Sequence, residues 1–285
     1  METNMYYVLF DIGGTKTRIG LTPSLDTVGE TVSFSTPVHF EDAMALFAEK
    51  FQSLRAGEER IAGAAGGIRG PLSHDHGSIV HNDILKDWVG KPIRDTLAGI
   101  IGAPVSLYND TAIVALGEAH FGAGKGYDIV AYHTVSTGVG GARIVAGSLD
   151  EASMGFEPGH QIIDADMTLM GAGNGADTLE ELISGTAIEQ RFHKKPYEIA
   201  QNDPLWDELA HYLAYGLKNT IVYWSPDVIV LGGSMMIGDP RIPLAAVIAH
   251  TERVLGDFMP VPAILDATLA DKGGLYGALA VLAGR

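Results

Sequence analysis

The sequence predicts an α/β fold, and three observations carry that expectation. Apolar strand-like runs alternate with helically spaced segments in both halves of the chain, the pattern of layered α/β architecture. A glycine-rich turn follows an apolar run three times, after Phe10, after Val135 and after Leu231. The 285 residues, of which 46 % are hydrophobic, suffice for one large domain or for two smaller lobes.

Residues 6–10 form a continuous apolar run and predict a buried strand over 6–11 that ends in Asp11; Gly13-Gly14 then turns the chain into a second strand over 16–21. Across 42–54, Met44, Leu46, Phe47, Phe51 and Leu54 recur at helical spacing. A short strand at 61–65 is expected to end at Gly66-Gly67. A helix over 91–101, with Pro92 in its first turn, precedes a strand at 105–108 and a helix over 111–119. Strands at 127–135 and 141–145 flank the second glycine-rich turn. Helices follow near 179–183, 186–192 and 204–224, then a strand at 228–231 and helices at 243–255 and 274–282. No tandem repeat of fixed short period and no Ser/Pro-rich linker is visible.

The formal net charge of −16 repels phosphate backbones and anionic lipids, so nucleic acid and membrane surfaces are excluded as expected partners. The same field disfavours a nucleotide at long range. A nucleotide site would therefore work through backbone N–H groups, helix ends and a cation, and the 36 glycines suit close backbone approach to phosphate. There is no cysteine, hence no disulfide, thiolate nucleophile or cysteine-held metal. No apolar run is long enough to span a bilayer and the first residues lack a basic signal region, so a cytoplasmic location is expected.

Three loops are candidates for phosphate binding. In the first, a buried strand delivers Asp11, Gly13 and Gly14 permit a tight turn, Thr15 offers a hydroxyl and Lys16 a cation. Asp11 could hold Mg²⁺ through water while the amides face phosphate oxygens; an ordinary hairpin is the alternative, with Lys16 a solvated strand lysine. The second is Ser136-Thr137-Gly138 and the glycines after it. In the third, Gly232-Gly233 ends a buried strand over which an adenosine could lie. None is a P-loop or a dinucleotide fingerprint. Between the first two loops, Asn109-Asp110 stands after a strand and before a helix. A carboxylate there can accept a proton from a hydroxyl that attacks a γ-phosphate; a helix N-cap is the competing reading. His74, His76 and His81 lie close together without a familiar metal spacing and read as a polar loop.

In this order, D-x-G-G-T at 11–15, N-D at 109–110, T-G-x-G-G at 137–141 and the late G-G strand resemble the sugar-kinase branch of the actin and hexokinase superfamily. More narrowly, the chain resembles the ROK family (repressor, open reading frame, kinase). The resemblance runs from Val8 to about Gly277; its most specific parts are DIGGTK at 11–16 and NDTAIVALGEAHFGAG at 109–124. It implies an actin-like/hexokinase-like (ribonuclease H-like) fold of two lobes with a cleft. Residues 1–112 plus 274–285 would form the sugar and phosphate lobe, and 113–273 the nucleotide-binding and dimerisation lobe. It also implies ATP and Mg²⁺ as cofactors, a small sugar as substrate, and a homodimer. The reaction would be phosphorylation of a hexose or N-acetylhexosamine hydroxyl, the 6-OH, with Asp110 as catalytic base and Asn109 binding sugar.

Glu157-Pro-Gly-His160 resembles the family's E-x-G-H sugar motif, and Glu180 aligns with a further sugar-binding glutamate. His160 as a loop histidine and Glu180 as a solvated carboxylate in a first helical turn are the plain alternatives. Gly67 matches a turn that approaches the sugar, and Asn82 or Asp83 matches an N-L-x-x-W stretch. The family's cysteine-rich zinc loop corresponds here to 170–178, which has no cysteine, so no structural zinc is expected. Repressors of the family carry an N-terminal DNA-binding extension, and with the first strand expected only a few residues in and an acidic chain, no such module is expected here. A catalytically weak sugar sensor, or another superfamily enzyme such as an acyl-phosphate kinase or a phosphatase, are the other readings.

Overall fold

The computed structural model describes residues 5–57, 59–150, 152, 155–166, 168–169 and 177–284. Its elements run β1 (Met5–Ile12), β2 (Lys16–Thr22), β3 (Glu30–Ser35), α1 (Phe40–Leu54), β4 (Arg60–Ile68), α2 (Ile93–Ile101), β5 (Val105–Asn109) and α3 (Asp110–Phe121). They continue with β6 (Ile129–Val135), β7 (Val139–Val145), β8 (Ser148–Leu149), β9 (Ile162–Asp164), β10 (Asp177–Thr178), α4 (Leu179–Ile183), α5 (Gly185–Phe192) and α6 (Leu205–Trp224). Last come β11 (Val228–Gly232), α7 (Ser234–Ile237), α8 (Leu244–Leu255), β12 (Ala263–Asp266) and α9 (Gly273–Leu282). Among the described residues no helix is long and apolar enough to cross a membrane.

The chain forms two compact units, Met1–Phe121 with Glu151–Gly155 and Asp271–Arg285, and Gly122–Asp150 with Phe156–Ala270. The first holds a five-stranded sheet in the order β3-β2-β1-β4-β5. Strands β1, β2 and β3 form an antiparallel meander, and β4 and β5 join β1 in parallel. Alternate residues of β1 face opposite sides. Val8, Phe10 and Ile12 share one core with Phe47 and Phe51 of α1 and Leu97 of α2. Leu9 belongs to the other, with Ile113 of α3 and Leu275 and Leu279 of α9. Burial on both faces explains why β1 reads as an unbroken apolar run rather than an alternating one.

The second unit repeats this arrangement. Its five-stranded sheet has the order β12-β11-β6-β7-β8, again a meander (β6-β7-β8) whose first strand is flanked by parallel partners. Leu209, Leu213 and Leu217, one stripe of α6, pack with Ala131, Ile229 and Leu231 of the sheet.

Two expectations need correction. Gly66-Gly67 does not end a strand: β4 continues to Ile68. The glycines are there for close packing, because a Cβ on Gly66 would overlap Phe10 and one on Gly67 would lie 2.6 Å from Ile113 Cγ2. Strands β3 and β12 were also not foreseen. The edge strand β3 alternates half-buried Val32 and Phe34 with exposed polar residues, a short period-2 signal.

Candidate active site

In the first unit, the C-terminal ends of the parallel strands converge, the position where open α/β sheets bind ligands. Register places Asp11 beside Gly67, Gly67 beside Tyr108 and Ile68 beside Asn109. A side chain on Gly67 would stand 3.1 Å from the Asp110 Cα, so this glycine lets α3 start directly against β4.

Asn109 is the cap of α3. Its Oδ1 accepts the N–H groups of Thr111 at 2.9 Å and Ala112 at 3.1 Å, while its Nδ2 donates to the Gly70 carbonyl at 3.2 Å. The capping expected of an Asn-Asp pair thus falls on the asparagine. Asp110 forms the first helical residue, and its Oδ1 accepts the Thr111 N–H at 2.9 Å.

Asp11 lies close enough to Asp110 for the two carboxylates to repel. Burial, then Asp110, raise the Asp11 pKa from 3.8 to about 6, against the opposing pull of Arg18. Arg18 Nη1 is 3.3 Å from Asp11 Oδ2, and its Nη2 is 2.6 Å from Asp271. Arg18 is a site residue the sequence reading passed over, yet the hairpin signalled it: the Gly13-Gly14 turn pairs Asp11 with Arg18 across β1 and β2.

The 11–16 loop is geometrically a hairpin. The Gly13 N–H donates to the Lys16 carbonyl at 3.0 Å, and the Thr36 hydroxyl donates to the Gly13 carbonyl at 2.9 Å. Thr15 is exposed at its tip. A Cβ on Gly14 would stand 3.2 Å from Arg69 and Ile84 side-chain atoms. Lys16 Nζ is 3.8 Å from Asp271 in an exposed pair. Asn82 is buried and organises its own loop: its Oδ1 accepts from Ile84 and Leu85 N–H, and its Nδ2 donates to the Arg69 carbonyl. Its neighbour Asp83 is exposed, 3.5 Å from His81. Among the described residues no group of three or more His, Cys, Asp or Glu is placed to hold a metal ion. Most of the expected zinc-loop counterpart, 170–176, lies outside the described residues.

The second unit carries the other expected residues. The β6–β7 turn is closed by the Ser136 N–H donating to the Gly138 carbonyl at 2.8 Å. Gly233 has φ +86°, and a Cβ there would stand 2.6 Å from Thr134 Oγ1. Gly232 packs on the Tyr132 hydroxyl. Ser234, just beyond, is 3.1 Å from Ser136 through their hydroxyls. Beside them opens a cavity of ≈ 310 Å³ whose lining includes Thr137, Thr186, Lys195, Tyr197, Ser234 and Asp239. Thr137 was anticipated as a nucleotide ligand, and Thr186 and Ser234 lie in segments that the sequence marks, ISGTAI at 183–188 and the Gly232-Gly233 loop; Lys195, Tyr197 and Asp239 carry no motif and converge only through tertiary packing.

Glu157 and His160 bracket a short 3₁₀ turn. Pro158 fits because β7 offers a glycine: a Cβ on Gly141 would be 2.6 Å from Pro158 Cγ. Desolvation raises the Glu157 pKa, Glu180 raises it further and His160 opposes, so the three side chains share one electrostatic neighbourhood. Glu180 is not a solvated first-turn carboxylate. Its Oε2 accepts the Val139 N–H at 2.7 Å.

Two sheets of the same 3-2-1-4-5 topology, with carboxylates at the parallel strand ends of the first, define the two-lobed actin-like/hexokinase-like α/β class. The ROK family model matches residues 7–285, and the chain belongs to that family. It is 28 % identical to the glucokinase of Streptomyces coelicolor over 94 % of each chain. A ROK hexokinase from Thermus thermophilus superposes with TM-score 0.77 at 29 % identity, covering 97 % of both chains. A ROK glucokinase from Streptomyces griseus, solved with glucose and AMPPNP, gives TM-score 0.78 at 26 % identity over 97 % of this chain and 98 % of that one.

Proposed function

We propose that this protein is an ATP-dependent sugar kinase that phosphorylates a hexose or N-acetylhexosamine hydroxyl, the 6-OH, with Asp110 as general base. One observation carries the reading: Asp110 opens α3 directly after the parallel strand β5, beside a second carboxylate, Asp11. The glucose- and AMPPNP-bound relative and the glucokinase relative support the substrate pair.

In this mechanism the sugar hydroxyl gives its proton to the Asp110 carboxylate as its oxygen attacks the γ-phosphorus. The bond from that phosphorus to the bridging oxygen breaks, releasing ADP. In the first unit the amide of Asn109 offers polar groups to a sugar, and in the second the Glu157–His160 turn does. The β6–β7 loop offers N–H and hydroxyl groups to the nucleotide, whose base end occupies the cavity lined by Thr186, Lys195 and Tyr197. Asp11 would hold Mg²⁺. The fit is electrostatic: two neighbouring carboxylates, one pushed to a pKa of about 6, favour a cation. Mg²⁺ there would offset charge on the transferred phosphoryl group.

Asp110→Asn should lower turnover by about 10³-fold with the fold intact, the usual cost of losing a general base. ADP release coupled to a dye, run on glucose, fructose, N-acetylglucosamine and N-acetylmannosamine, measures it. Full turnover in the variant removes Asp110 from the chemistry.

A further inference from the structure

We infer that Glu180 is a positioning residue for the nucleotide's phosphate loop, and that it ties this loop to the Glu157–His160 turn so that sugar and nucleotide binding reinforce each other. This rests on the kinase reading above. Glu180 Oε2 accepts the Val139 N–H at 2.7 Å, in the turn that follows Thr137. A Cβ on Gly138 would come within 2.5 Å of that same oxygen, so glycine at 138 is the condition for the carboxylate to reach the backbone.

The segment bearing Glu180 is fixed at both ends. A capping box between Thr178 and Glu181 sets the start of α4. There the Leu179 N–H donates to the Gln161 carbonyl at 3.0 Å, and Gln161 Nε2 donates to the Pro158 carbonyl at 2.7 Å. The start of α4 is therefore bonded to the sugar motif. Beyond its end, the Gly185 N–H donates to the Ser136 carbonyl at 2.7 Å, and the Thr186 hydroxyl donates to the Thr137 carbonyl at 2.8 Å. One short segment thus grips the loop at 136, 137 and 139 and, through Leu179, Gln161, whose side chain closes back on the sugar turn at Pro158. A ligand that orders either end restricts the other, which is a positive coupling between sites.

The test combines equilibrium binding of Mg·AMPPNP, with and without glucose, and hydrogen exchange at the Val139 amide. In Glu180→Ala the nucleotide should bind roughly tenfold more weakly, glucose should no longer tighten it, and Val139 should exchange faster. Glu180→Gln keeps an accepting oxygen and should restore nucleotide affinity and Val139 protection. If Glu180→Ala folds poorly, Gly138→Ala, whose methyl displaces the same carboxylate, should give the same loss of Val139 protection. Unchanged nucleotide affinity with weaker sugar binding alone would overturn the inference and leave Glu180 a sugar ligand only. Unchanged Val139 protection in the alanine variants would overturn it as well. Wild-type protein that binds no AMPPNP would instead bring down the kinase reading, and this inference with it.

Discussion

Asp11 is the residue where folding and chemistry pull in opposite directions. Burial and the neighbouring Asp110 raise its pKa from 3.8 to about 6, so ionising it costs the native state. The sign follows from linkage. Its favourable contribution is full below about pH 4, where it is protonated in both states, and is lost as pH rises through about 6. Raising the pKa from 3.8 to about 6 corresponds to at most about 3 kcal/mol. Its side chain is 16 % exposed, so solvent screens the charge only in part. Asp11→Asn should therefore melt higher than the wild type at pH 8, with the advantage gone at pH 4, although the weakened Arg18 contact offsets some of it. Thermal melts across pH 4–8 check this; parallel pH profiles for the two proteins would sink it. That Asp11 belongs to a site was readable from a strand ending in D-x-G-G. Its companion Arg18 and the opposing Asp110 lie 7 and 99 positions along the chain, and no local pattern records the burial that shifts it.

At the scale of elements, most of the architecture was legible because apolar spacing and glycine punctuation are strong signals. Residues 204–224 show an uninterrupted helical stripe, and α6 is found at Leu205–Trp224. Glycines mislead when they mark proximity instead of turning. Gly66 and Gly67 lie inside β4, and Gly117 and Gly277 let α3 and α9 cross with backbones in contact: a Cβ on Gly117 would be 2.5 Å from the Gly273 carbonyl oxygen. A Cβ on Gly277 would overlap the Ile113 carbonyl, which is backbone and cannot step aside. Gly277→Ala should accordingly cost about 3 kcal/mol or more and disturb the start of α3, where Asp110 sits. Gly99 is the opposite case. It is exposed inside α2 with open space where a Cβ would go, and Gly99→Ala should stabilise by about 0.5–1 kcal/mol. Melting temperatures moving in opposite directions confirm the pair; a Gly277→Ala protein as stable as the parent would show that the two helices can part without loss.

Across the whole molecule, both units build the same strand order from sequences that show no repeat of fixed period. Topology survives where residue identity does not, because a meander joined to parallel crossover strands needs only apolar strands and turns in the right order. The net charge of −16 belongs to this scale too. Mg·ATP is an anion, and at about 0.01 M salt, where the screening length is about 30 Å, it meets the field of the entire chain. At 0.15 M the length falls to about 8 Å and only nearby groups act. The association rate of nucleotide should therefore rise, roughly two- to fivefold, as salt increases over that range, the reverse of electrostatic steering by a basic protein. Glucose is uncharged, and its affinity should not change, which makes it an internal control. Stopped-flow binding of a fluorescent ATP analogue reads the rate directly. A rate that falls with salt would mean that cations near the nucleotide site, such as Lys195 in the cavity lining, outweigh the rest of the chain, and that backbone amides alone do not draw the nucleotide in.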